Sequence, residues 1–148
     1  MRFVIAAALA LTSASPLAAQ DVGTAVPIAG SWSYAATGGG SEARFADGSG
    51  NPQLWMHCTR ATRRVTIAKT ASAAAPVLNV WTSSLTRSVP ASFNPATGRL
   101  TIELAPFDPL LDAIATSRGR VGFSAGTQPA LVVPPWAEAS RVIEDCRA

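Results

Sequence analysis

Histidine occurs once in this chain, lysine once and cysteine twice, and each scarcity removes a class of function. A structural zinc site takes four nitrogen or sulfur ligands at short spacings, and neither Cys58 nor Cys146 has a second cysteine or a ligand-spaced histidine nearby. A Cys-x-x-Cys redox motif is missing for the same reason. Charge is sparse too, at 14% of residues, and the small excess of basic over acidic side chains is too weak to imply a nucleic-acid partner. Beyond the first residues no apolar run is long enough to cross a bilayer, so no transmembrane segment is expected. No metal and no cofactor are expected.

The single histidine also tests the motifs that look catalytic. Gly122-Phe-Ser124-Ala-Gly126 matches the Gly-x-Ser-x-Gly pattern of the hydrolase nucleophile elbow, a strained strand-to-helix turn that exposes the serine hydroxyl. That fold places its acid and then its histidine after the serine, whereas His57 lies far upstream and no helical pattern follows Ser124. The expectation is a strand ending in a glycine turn, and no catalytic residue. The segment Asp47-Gly-Ser-Gly-Asn-Pro52 has the look of a calcium loop. Its sixth position is Pro52 rather than glycine, and Cys58 stands where a bidentate glutamate belongs, so a plain turn is expected. Glu144-Asp145 on an exposed helix face reads as solvated or paired with Arg141.

What is present starts with the N-terminus. Met1-Arg2, the apolar run Phe3 to Leu11, and Thr12 to Gln20 with Pro16 and small Ala19 have the order of a secretory signal peptide cleaved after Ala19. No cysteine follows the cleavage point, so a lipid anchor is not supported. Removing 19 of the 148 residues leaves 129, enough for one single-core domain, with 11 basic and 9 acidic side chains. The domain expected is residues 31–148, preceded by a flexible arm over 20–30. The location expected is periplasmic or secreted, where two cysteines read as one disulfide, Cys58 to Cys146.

Period-2 alternation dominates the domain. Trp32 and Tyr34 alternate with small residues, and 42–46 is a return strand. In Gln53 to Thr59, Leu54, Met56 and Cys58 share the buried face while Trp55 and His57 share the outer one. Arg60 to Arg63 turns, and Arg64 to Lys69 alternates with Val65 and Ile67 inward. Strands are also expected over 77–82, over 85–93 with Pro90 marking an edge or bulge, and around Leu100-Ile102-Leu104. The period then changes. Asp108 caps a short helix with Pro109 in its first position, strands follow near 121–125 and 131–133, and a C-terminal helix starts at Pro135. On that helix Trp136, Ala139, Val142, Ile143 and Cys146 fall within an arc of roughly 120°. Fold class follows: mainly β, an antiparallel sandwich or open barrel with a short inserted helix and a C-terminal helix.

The one positive feature for binding is Arg60, Arg63 and Arg64 around a hairpin turn, with Trp55 and His57 on the outer face of the same strand. Arginine clusters of this kind suit phosphate or carboxylate groups. The candidate ligand-binding set is therefore Trp55, His57, Arg60, Arg63 and Arg64.

The segment Asp108-Pro-Leu-Leu-Asp-Ala-Ile-Ala-Thr-Ser-Arg-Gly-Arg120, with Leu131-Val-Val-Pro134, Trp136-Ala-Glu138 and Arg141-Val-Ile-Glu-Asp-Cys-Arg147, resembles a group of uncharacterised secreted proteins from alphaproteobacteria. A strand cysteine plus a C-terminal helix cysteine on a β domain is similar in layout to exported proteins of the invasion-associated locus B type. The resemblance implies a periplasmic domain and transfers no catalytic residue. The function expected is a non-enzymatic envelope domain that binds a macromolecule, such as an envelope protein, or an anionic glycan or lipid. A secreted inhibitor of a hydrolase and a small enzyme with an unrecognised site are the alternatives.

Overall fold

The computed structural model describes residues 21–148; the expected leader, 1–19, lies outside the described residues. The elements in order are β1 (Gly30–Thr37), β2 (Gly40–Asp47), β3 (Pro52–Thr59), β4 (Arg64–Thr70), β5 (Val77–Trp81), β6 (Thr86–Pro90), β7 (Ser92–Asn94), β8 (Arg99–Leu104), α1 (Pro109–Ala115), β9 (Val121–Ser124), β10 (Leu131–Val133) and α2 (Ala137–Arg147). They form two antiparallel sheets, β1-β2-β3-β4-β8-β7 and β10-β9-β5-β6, and neither closes into a barrel. Pro90 ends β6 and, after Ala91 alone, β7 begins in the other sheet, so the interruption read from Pro90 is the corner at which the chain changes sheet.

Alternation explains the layers. Phe45, Leu54, Met56, Val65, Ile67, Leu100 and Ile102 project from one face of the larger sheet and are almost fully buried. Opposite them lie Leu78, Val80, Val121 and Phe123 of the smaller sheet, together with Leu110, Leu111 and Ile114 of α1 and Ala139, Val142 and Ile143 of α2. Cys58 is on the buried face of β3 and bridges to Cys146, with 5.4 Å between the α-carbons. Gly40 stands where a Cβ would meet the Cys58 carbonyl at 1.9 Å, so only glycine lets β2 begin that close to β3. Asp108 caps α1 as its sequence indicates, its Oδ1 accepting from the Leu110 N–H at 2.8 Å.

One local expectation is corrected. The C-terminal helix begins at Ala137, not Pro135, because Trp136 is extended (φ −148°, ψ 157°) and serves as an N-cap without a side-chain bond. Its indole leaves the buried arc and is 57% exposed. Residues 21–29, which carry no periodicity, nonetheless lie against the smaller sheet. The Ile28 N–H donates to Val132 O at 2.9 Å, Arg120 Nη1 donates to Ala25 O at 2.6 Å, and Val22 occupies the space over Gly122.

Candidate functional site

Both helices and the smaller sheet occupy the inner side of the six-stranded sheet, and its outer side carries none of them. Registers place the outer residues in rows. Arg44, Trp55, Ala68 and Thr101 lie side by side across β2, β3, β4 and β8, and the next row is Glu42, His57, Thr66 and Glu103. Arg99, two residues from Thr101 on β8, reaches back over the small Ala68. Its guanidinium carbon lies 3.7 Å from the Trp55 ring centroid. Trp55 is thus on the outer face, as alternation requires, but only 8% exposed, because an arginine covers it.

The three arginines of the hairpin separate. Arg63 has the only positive φ of a non-glycine residue among those described, 51°, and this turns its side chain toward the end of α2. There its Nη2 donates to Arg147 O at 2.7 Å and to Ala148 O at 3.0 Å. It is a structural tether and does not belong to the patch. Arg64 stays on the outer face in a loose pair with Glu103 at 3.4 Å, both half-exposed, which contributes little. Arg60 is exposed at the turn, close enough to Asp145 for its charge to favour the ionised carboxylate.

Arg44 and Arg99 are the site residues that local reading missed. Arg44 pairs with Glu42 at 2.9 Å and remains 48% exposed. Arg99 has no carboxylate within ion-pair distance among the described residues. Outer-face alternation on β2 and β8 was the signal for both. The face as a whole presents Arg44, Arg64 and Arg99, with Arg60 at its rim, against Glu42 and Glu103. His57 lies between Glu42 and Thr66 in the same surface.

Other candidate groups fall elsewhere. Ser124 is on β9 of the smaller sheet, beside Asn79, so the core separates it from His57. The Asp47 carboxylate accepts from the N–H groups of Ser49 and Asn51, both at 2.9 Å, and from Gln53 Nε2 at 2.8 Å. These bonds build the turn and, the one from Asn51 foremost, hold the Asp47 pKa below the usual carboxylate range. Asp145 accepts from Tyr34 Oη at 2.6 Å, and Arg141 lies over the Tyr34 ring at 4.1 Å. No group of three or more potential metal ligands occurs among the described residues. No helix among the described residues is long and apolar enough to cross a membrane.

The concave features are aromatic. A cavity of about 160 Å³ opens between Gly30, Ser31, Trp32, Pro134 and Trp136, where Trp32 Nε1 donates to Pro134 O at 3.0 Å. An apolar pit beneath it, reaching Met56 and Phe123, has room for about one water, roughly 10 Å³. Comparison of the chain with protein-family models, with curated proteins and with solved structures gives no match.

Proposed function

We propose that this protein is an exported, non-enzymatic binding domain that engages a phosphate- or carboxylate-bearing envelope component on the outer face of its six-stranded sheet. The observation that carries the reading is Arg99: a guanidinium held over the Trp55 ring, with no carboxylate within ion-pair distance among the described residues, on a face that no described helix or strand covers. A guanidinium held by a ring keeps its N–H edges for a ligand and loses little freedom on binding. Arg64 and Arg60 extend the positive surface toward the β3–β4 turn, and Arg44 extends it along the Trp55 row onto β2.

The ligand can be a glycan or a lipid headgroup, since both present the same anionic oxygens. Co-sedimentation with lipopolysaccharide, with anionic liposomes and with peptidoglycan separates the sources. Retention is expected to fall as salt rises, because exposed charges are screened beyond about 8 Å at physiological ionic strength. Replacing Arg60, Arg64 and Arg99 together by Ala is expected to lower affinity roughly tenfold to a hundredfold, since three exposed ionic contacts at about 0.5 to 1 kcal/mol each sum to about 1.5 to 3 kcal/mol. Arg63→Ala, which touches only the α2 tether, is the control and should bind as the wild type does. Equal retention of wild type and triple variant, or retention on none of the three materials, rules the reading out.

A further inference from the structure

Two sheets have four edges, and three of them are blunted. β7 has three residues and is bounded by Pro90 and Pro95; β6 carries Arg87 and ends in Pro90; β10 has three residues and receives the Ile28 N–H at Val132 O. Short strands, prolines, charges and covering segments are the usual defences of an exposed edge. β1 has none. It runs for eight residues, Gly-Ser-Trp-Ser-Tyr-Ala-Ala-Thr, with no charge, no proline and an unbroken register against β2. Its far side carries a row of backbone N–H and C=O groups without a neighbouring strand among the described residues.

From this edge we infer that the protein is a homodimer in which β1 pairs antiparallel with β1 of a second copy, joining two six-stranded sheets into one. The inference does not depend on the anion-binding reading. A second copy fits better than an arbitrary strand because β1 is self-complementary, which a two-fold interface demands. Directly opposed residues in an antiparallel pair share a face, so inward-facing Trp32 and Tyr34 must meet inward-facing residues. Placing Ser33 on the two-fold axis satisfies this. Trp32 then faces Tyr34 of the second copy, twice, and Ser31 faces Ala35 of the second copy. Cross-strand aromatic pairs are among the favourable ones, and with no acidic or basic side chain on β1 no like charges are opposed. At the Gly30 end of the strand, the cavity beside Trp32 and the exposed indole of Trp136 supply apolar surface for the partner to cover. The axis stands perpendicular to the joined sheet, so both arginine faces look the same way.

Sedimentation equilibrium of protein expressed from the full chain, up to about 100 µM, tests the association. A dimer is expected. Ser33→Lys, which sets two ammonium groups against each other beside the two Arg44 side chains, is expected to sediment as a monomer while retaining its circular dichroism spectrum. Ser33→Cys tests the axis itself. Opposed α-carbons in an antiparallel pair lie about 4.5 to 5.5 Å apart, within the span of a disulfide, so mild oxidation should link this variant into covalent dimers. Ala35→Cys, opposed to Ser31, should not link. A monomeric wild type, a dimer that survives Ser33→Lys, or equal cross-linking of the two cysteine variants overturns the inference.

Discussion

Lys69 extends the alternation of Val65 and Ile67 by one more step and is carried inward with them, to 5% exposure. Its Nζ donates to Thr70 O at 2.9 Å and makes no ion pair among the described residues. Burial away from water disfavours the ammonium and lowers its pKa below the usual lysine value. The sign of the linkage follows. The unfolded chain binds this proton more tightly than the folded one, so stability rises with pH between the lowered value and the ordinary lysine value of about 10.4. Below that interval the charge costs stability. Lys69→Met, similar in volume, is therefore expected to raise stability at pH 7 by about 1 kcal/mol, and the gain should shrink in alkaline solution. Thermal melts of both proteins at pH 7 and pH 10 check it; a less stable variant at pH 7 would show that the bond to Thr70 outweighs desolvation. The inward turn of Lys69 was legible, since strict alternation after Ile67 demands it. The cover over Trp55 and the partner of Arg63 were not. Each depends on a contact between residues 44 and 85 positions apart, and local periodicity carries no record of such contacts.

The α2 helix is legible in part for the same reason. Its inward residues Ala139, Val142, Ile143 and Cys146 follow from a 3.6-residue period, but its start does not follow from Pro135, because Trp136 has a place beside Trp32 and Pro134 and leaves the helix for it. Its docking is completed by polar ties that run to distant strands and loops. Arg147 donates to Pro106 O at 2.7 Å and to Asp112 Oδ1 at 2.8 Å, Arg63 holds the last carbonyls, and Tyr34 donates to Asp145. The Tyr34 bond is the largest influence holding the Asp145 pKa below the ordinary carboxylate value. Burial opposes it, while Ser41 and the charges of Arg141 and Arg60 reinforce it. Ser41 Oγ makes no bond of full hydrogen-bond geometry, yet is near enough to contribute. A carboxylate with a depressed folded pKa contributes stability above its unfolded value, about 3.9, and loses it as pH falls through the folded value. Tyr34→Phe should accordingly cost about 1 kcal/mol at pH 6, no more because the carboxylate is largely solvated, and nothing once the pH is below the folded value. Denaturant titrations of the two proteins at several pH values measure this. A difference that persists unchanged into acid would assign the loss to packing of the ring and not to the charged bond.

At the scale of the whole chain, most of what the sequence made legible was pattern, and what it left open was closure. The strands follow from alternation and an interruption at Pro90 from its missing N–H, but that the chain changes sheet there does not. The order β1-β2-β3-β4-β8-β7 could not be read, because β4 and β8 pair across a stretch of 28 residues in which the entire β5–β7 segment intervenes. The Cys58–Cys146 bridge binds this arrangement into a closed loop with a sequence separation of 88. Both sulfurs belong to almost fully buried residues, and Cys146 Sγ approaches Arg64 O at 3.3 Å. The bridge can stabilise in two ways that denaturant separates. If it acts through the unfolded chain, by forbidding its most expanded states, then removing it should lower stability by up to about 4 to 5 kcal/mol and also raise the denaturant dependence m, since the freed chain exposes more surface. If it acts through native contacts between α2 and β3, stability should fall with m unchanged. The buried position of both cysteines favours a double Cys58→Ala, Cys146→Ala variant over chemical reduction, which would need the fold to open first. Guanidinium titrations of the wild type and this variant are expected to give a lower midpoint with a steeper m for the variant. A midpoint that does not move would show that the bridge follows the fold and does not hold it.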